Sequence, residues 1–314
     1  MKFQNYLTEK QIIVGGGKDY GQIVFLAGGA GSGKGFSASN FMEKSKFKVR
    51  DVDELKKSAI KLAQLKKDNP EIADTNLGNA DDVFRLHQYV KDKGWKDETL
   101  NMLLAGASKG KLPNILFDVT MKDIGDIKEV MPSLTSVGYQ AKDIHVVWVL
   151  TNFYIAVQQN KDRERRVPDE ILLKTHVGAA KTVTDMLRGK FGVLGHMVDG
   201  EMYVILGGQA NTVLMTDLDT RDTIKGKDKF KQLPGVPIQR EIKNSIPDPK
   251  TGKKEKQFVI KSFKYIKLKD AGKPMKPSID FDKSMLGWDE LRKFIKDNIP
   301  HTTDTKNIRR RKRV

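Results

Sequence analysis

Short apolar runs alternate along the first half of the chain with segments whose apolar residues recur at helical spacing. Ile23-Val24-Phe25-Leu26-Ala27 is too short for a helix, rich in β-branched and aromatic residues and ended by glycine, which predicts a strand buried on both faces. Phe47-Lys48-Val49, Pro113-Asn114-Ile115-Leu116-Phe117 and His145-Val146-Val147-Trp148-Val149-Leu150 read as three more, with Trp148 as packing. Between them, Phe36, Phe41 and Met42 supply one helix, and Leu55, Ile60, Leu62 and Leu65 another. Residues 69–111 read as mainly helical, with Val83, Leu86, His87 and Val90 on one face and Leu100, Leu103 and Leu104 on another. A helix is expected from Asp123 to Val137. A further helix begins at Pro168, with Ile171, Thr175, Ala179, Val183 and Met186 as its apolar stripe and His176 off it, without a role.

Strand followed by helix, four times, predicts an α/β fold with a doubly wound, mostly parallel sheet. Val198-Asp199-Gly200-Glu201 reads as a two-residue hairpin whose second arm, Met202 to Leu206, completes that sheet, and the core is expected to close near Asp219. Beyond it the composition shifts to a basic, β-rich C-terminal elaboration. Phe258, Ile260, Phe263, Tyr265 and Ile266 interleave with Lys256, Lys261, Lys264 and Lys267, after a turn at 246–254. Such a hairpin either tracks a phosphate backbone and stacks on bases, or is a half-buried sheet with lysines facing water. A last helix around Trp288 to Ile295 should dock on the core. The expected divisions are an N-terminal arm at 1–20 with Gly15-Gly16-Gly17-Lys18 as a flexible joint, a main domain at 21–220, a basic subdomain at 221–300 and a basic tail at 301–314.

Charge sharpens this picture. Of 314 residues, 57 are Lys or Arg and 40 Asp or Glu, a formal net charge of +17 that points to nucleic acid or another polyanion as partner, or to an enzyme of phosphorylated substrates. No cysteine is present, which excludes disulfides, thiolate metal sites and thiol nucleophiles and fits a reducing, cytoplasmic setting. No apolar run approaches membrane-spanning length, so no membrane role is expected.

The chemistry concentrates after the first strand, in Gly28-Gly29-Ala30-Gly31-Ser32-Gly33-Lys34-Gly35. This is G-x-x-x-x-G-K between a strand and a helix, where glycines turn the backbone N–H groups inward and a lysine follows a β/γ-phosphate. Gly29, Ala30, Gly31, Ser32, Gly33, Lys34, Gly35 and Phe36 are the expected nucleotide-binding residues; the other reading is a glycine-rich turn that packs a helix on a sheet. Gly35 stands where a Ser or Thr would ligate Mg²⁺, so the hydroxyl must come from Ser37, or from water held by carboxylates elsewhere. The Gly-Lys-Gly ending resembles the phosphate loop of adenylate kinase and related small-molecule and polynucleotide kinases. Asp118, ending a buried apolar strand, is the candidate for the metal's water shell, with Thr120 nearby; its other reading is a helix cap.

With Arg50-Asp51-Val52-Asp53 ending the second strand, the chain resembles P-loop kinases of the zeta-toxin and polynucleotide-kinase group, phage-encoded members included; a phage origin would place it in host cytoplasm. The resemblance implies ATP and Mg²⁺ as cofactors and an aspartate that binds the acceptor hydroxyl and takes its proton. That role falls to Asp53, with Asp51 as alternate; read without the resemblance, Asp51 caps the next helix and Asp53 sits solvated in its first turn. It also implies a lid whose arginines clamp ATP phosphates, matched by Asn160-Lys161-Asp162-Arg163-Glu164-Arg165-Arg166-Val167-Pro168. If that segment is helical, Arg163 and Arg166 share a face and are the candidates. The expected activity is transfer of the γ-phosphoryl of ATP to a hydroxyl acceptor, first a nucleic-acid 5′ end or modified base. The alternatives are a nucleotide-sugar or other small metabolite, and a nucleotide-binding, nucleic-acid-associated or virion protein without transferase activity.

Overall fold

In the computed structural model, which describes residues 12–105, 107, 111–161, 167–192, 196–216, 235–241, 249–252, 256–273 and 288–301, β1 (Ile23–Ala27) is buried along its whole length between two parallel neighbours. These are β3 (Ile115–Asp118) and β4 (Ile144–Thr151). β2 (Lys48–Asp51) pairs parallel with β3, and β5 (Met202–Thr216) parallel with β4. β7 (Lys256–Lys269) then runs antiparallel to β5, and β6 (Gly235–Glu241) antiparallel to β7, giving the order β2-β3-β1-β4-β5-β7-β6. The alternation of strand and helix thus yields the expected mostly parallel sheet.

Helices cover both faces. On one, Phe25 stacks on Phe117 at 5.1 Å within a cluster that includes Trp148, Leu150 and Val183; on the other, Val24, Leu26 and Val147 pack against Ala38 and Phe41 of α1 (Lys34–Phe41). α2 (Val52–Lys66), α3 (Ala80–Asp92) and α4 (Trp95–Leu104) form a satellite layer around Ala59, Leu86 and Val90. α5 (Phe153–Lys161), α6 (Asp169–Leu187) and α7 (Trp288–Asn298) complete the framework. No helix among the described residues is long and apolar enough to cross a membrane.

Several expectations are corrected. The helix expected over 123–137 is two short turns, Gly125–Lys128 and Met131–Ser136, because Pro132 has no N–H to continue the first. The hairpin at 198–201 does not form: Glu201 instead leads straight into β5 beside β4, its carbonyl accepting from Val146 N–H at 3.0 Å. On α6 the buried face is Leu172, Leu173, Thr175, His176, Ala179 and Val183, whereas Ile171 is 49% exposed; His176 therefore belongs inside. In the C-terminal elaboration, β7 lies beside β5 and extends the same sheet. Leu268, Leu291 and Ile299 enter the largest core cluster, so the last helix docks as expected. The side chains of 208–216, 235–241 and 256–266, which carry the basic-aromatic interleaving, lie outside the description, as do residues 302–314 of the tail.

The glycine run is the other departure. Ile12 and Val14 are buried, and Gly15, Gly16 and Gly17 turn left-handed with φ of 60°, 67° and 77°, so that Gly15 N–H meets Glu201 Oε2 at 2.9 Å. This is a fixed turn and not a joint. A methyl at Gly15 would overlap Gln22 Oε1 at 1.8 Å, and φ lies in the left-handed region that strains a side chain. Gly15→Ala is expected to lower stability by about 2 kcal/mol or more, read by chemical denaturation. Wild-type stability would mean that the turn can be rebuilt without the Glu201 contact.

Candidate active site

β1, β2 and β3 run parallel and in register, with Leu26 and Asp51 both opposite Asp118, so their carboxyl ends deliver the phosphate loop, Asp51 and Asp118 to one edge of the sheet. In open α/β sheets that edge is where ligands bind.

The loop itself is held closed by its own backbone. Ser32 N–H donates to Gly29 O at 3.1 Å and Ser37 N–H to Gly33 O at 2.9 Å, while Thr151 Oγ1 donates to Ser32 O at 2.8 Å from the end of β4. Gly31 and Gly33 take φ of 73° and 90°, which glycine alone adopts without strain, and a methyl on Gly31 would lie 2.8 Å from Ala156 O. A methyl on Gly33 or Gly35 would instead meet nothing within 4 Å, so space opens over the start of α1. Ser32 Oγ is buried without a hydrogen-bond partner among the described residues. Left-handed residues leading into a helix N-terminus, an orphan hydroxyl and open space fit an oxyanion such as a nucleotide phosphate.

Lys34 supplies the charge. Its Nζ donates to Gly28 O at 2.9 Å and lies 3.6 Å from Asp118 Oδ1. Burial holds the Asp118 carboxyl above its ordinary range; Lys34 pulls it down, and Asp51 and Asp53 push it up again. A buried acid beside the loop lysine suits a water shell around a divalent cation. Among the described residues no group of three or more His, Cys, Asp or Glu stands together as a metal cage.

The two aspartates at the end of β2 and the start of α2 differ in setting. Asp51 caps α2, its Oδ1 accepting from Asp53 N–H at 2.8 Å. Asp53 lies in the first turn, 44% exposed, with Oδ1 3.5 Å from Nζ of the buried Lys56. Thr120 is half-buried. Phe36 packs edge-on against Phe41 at 6.2 Å, below the loop. Ser37 is fully buried and its Oγ has no partner among the described residues, so as placed it is enclosed and must turn outward to reach a cation. Arg163 and Arg166 lie outside the described residues. The segment that contains them starts and ends on a clasp: the buried Asn160 side chain accepts from Val167 N–H at 3.0 Å and donates to Val167 O at 2.8 Å.

Two features escaped the sequence. Thr175 and His176 on α6 grip the loop at Ala30, and a polar pair interrupting an apolar helix face was the available signal. Around His87, on α3, burial and then Lys56, Lys96, Lys91 and Lys122 hold the imidazole below its ordinary range. These lysines come from α2, α3, α4 and the turn after β3, too far apart in sequence to be read together.

Comparison with known proteins adds the following. The family model described as Zeta toxin matches residues 10–191, more than half of the chain. Among solved structures, a chain from the PezAT chromosomal toxin-antitoxin system of the human pathogen Streptococcus pneumoniae is similar at 15% identity and a TM-score of 0.37, over 64% of this chain and 74% of that one. Deoxyadenosine kinase from M. mycoides with bound dATP is similar at 13% identity and a TM-score of 0.30, over 52% and 85%. A search of the curated proteins finds no match.

Proposed function

This chain belongs to the Zeta toxin family, and on that premise we propose that it is an ATP-dependent phosphotransferase that moves the γ-phosphoryl group onto a hydroxyl of a phosphate-bearing acceptor. The observation that carries the reading is the convergence of the glycine loop, Lys34, Asp118, Asp51 at the end of β2 and Asp53 in the first turn of α2 on one sheet edge. In this reading the loop amides and Lys34 hold the donor phosphates, since phosphoryl transfer depends on positioning and charge neutralisation. Asp53 orients the acceptor hydroxyl and receives its proton, because Asp51 already caps α2 through Oδ1. Mg²⁺, bound with the nucleotide, supplies charge neutralisation across the transferring group, with Asp118 as its protein-side candidate and Ser37 as the alternative. Arg163 and Arg166 remain the proposed phosphate clamp.

The four lysines around His87 support an acceptor that brings its own negative charge to the helical layer beside Asp53. They lie within the family-matched span, which favours a small phosphorylated metabolite such as a nucleotide-sugar. The net charge of +17 supports the second reading, a nucleic-acid hydroxyl presented by the C-terminal region. The experiment is transfer from γ-labelled ATP with Mg²⁺ to nucleotide-sugars, nucleosides, 5′-hydroxyl DNA and RNA and hydroxymethylated DNA, in wild type, Lys34→Ala and Asp53→Asn. Label on one acceptor, lost in both variants, supports the kinase reading and names its substrate class. ATP binding without transfer to any acceptor overturns it in favour of a nucleotide-binding protein without transferase activity.

A separate expectation concerns Gly35. Because a side chain there meets only open space, Gly35→Ser should fold as the wild type does. Its hydroxyl should lower the Mg²⁺ concentration for half-maximal transfer by about threefold or more, on the order of 1 kcal/mol for one charge-assisted contact. An unchanged Mg²⁺ titration would mean that the cation is held without a hydroxyl at this position.

A further inference from the structure

We infer that His176, with Thr175, is the positioning residue of the phosphate loop: the pair fixes the two successive peptides that meet at Ala30 and so sets where the following amides point. The inference rests on the nucleotide-binding reading of that loop. Ala30 N–H donates to Thr175 Oγ1 at 3.2 Å, and Ala30 O lies 2.8 Å from His176 Nε2. A carbonyl only accepts, so Nε2 carries the proton. Thr175 Oγ1 is itself oriented by donating to Leu172 O at 2.8 Å, and the His176 ring stands edge-on to Phe153 at 5.8 Å. Both side chains are buried on the helix that follows the Asn160–Val167 clasp, so one rigid element governs the peptides where the loop begins to turn.

The same contact accounts for Gly29. G-x-x-x-x-G-K requires no glycine at its second position, and Gly29 does not have a positive φ. A methyl there would instead meet His176 Cδ2 at 2.2 Å and Cγ at 2.4 Å. Gly29 is therefore small because the imidazole lies against it. The amides that would contact phosphate come after Ala30, and the hydrogen bond of His176 to the loop goes to Ala30 O, so its action is through the backbone.

The test uses the full chain and MgATP binding by calorimetry, with labelled transfer to the acceptor found above where there is one, and thermal melting as the control for folding. His176→Leu fills the space without a donor, and His176→Gln restores an N–H at the reach of Nε2. His176→Leu is expected to weaken MgATP affinity at least tenfold and to raise KM for ATP more than it lowers kcat, while His176→Gln recovers to within about threefold, the range one buried hydrogen bond commands. Gly29→Ala should weaken binding in the wild-type background and be relieved by His176→Ala, a coupling that a merely structural histidine would not show at the nucleotide. If His176→Leu does not fold, Thr175→Val and the Gly29–His176 pair carry the test. Folded His176→Leu with wild-type affinity, or uncoupled Gly29 and His176, overturns the inference while leaving nucleotide binding intact. No MgATP binding by the wild type overturns both it and the reading beneath it.

Discussion

Lys34→Ala is expected to reduce phosphoryl transfer by about 10²- to 10³-fold while the protein stays folded, the scale seen when a preorganised electrostatic contact to a reacting group is removed. Lys34 is part-buried at the start of α1, where its ammonium touches Gly28 O and faces Asp118. Without it, Asp118 keeps its burial and its acidic neighbours Asp51 and Asp53 but loses its nearest cation, so its carboxyl moves further above the ordinary range. The variant should therefore lose donor affinity and also hold a cation less well as pH falls. Titrating labelled transfer against pH in Lys34→Ala separates the two: residual activity that recovers as pH rises reports Asp118, and a flat residue of activity reports the missing phosphate contact. Wild-type turnover in Lys34→Ala would remove the loop from the chemistry.

The second large effect is acid lability. His145 is fully buried and both ring nitrogens are engaged: Nδ1 accepts from Glu201 N–H at 2.9 Å, which leaves Nε2–H to donate to Gln22 Oε1 at 2.8 Å. Burial, opposed by Glu201 and Asp143, pulls its pKa to about 4, and burial pulls His176 to about 4 as well. The unfolded chain binds protons at both near pH 6.5 and the folded one does not, so stability falls as pH drops from about 6.5 towards about 4, by on the order of 3 kcal/mol for each histidine. Asp118 and Asp126, whose carboxyls burial raises, act in the opposite sense at the acid end, since the folded state binds their protons first. Thermal melting from pH 7.5 to 4 should show the loss, and His145→Gln, whatever its stability at pH 7.5, should show about half the slope. An unchanged slope would remove His145 as a source.

The parallel core was legible because each strand is a short apolar run and each crossover helix an amphipathic one. Ile23–Ala27 is a strand with the bounds read from sequence, and β3 and β4 differ from expectation by a residue or two at their ends. The phosphate loop was legible for a different reason, since its residue types are dictated by backbone angles. What escaped was set by tertiary packing. A helical stripe one residue out of phase put Ile171 inside and His176 outside, because sequence alone does not say that the loop needs a donor at Ala30. Glycines 15–17 looked like a hinge because the carboxylate they hold comes from Glu201, far along the chain. The same distance hid the continuity of β5 and β7, where a shift towards lysine suggested a basic elaboration and strand pairing joins it to the main sheet.

That continuity bears on how the protein is made. β1, inside the sheet, is made well before its partners, which start at Ile115 and Ile144, and the core waits for Leu268, Leu291 and Ile299. A nascent chain therefore carries unpaired strand edges through most of its synthesis, the condition in which a chaperone is most needed and premature termination most damaging. A transcript cut short after Asp118 would encode the phosphate loop and its aspartates and lack the residues that close the core around them.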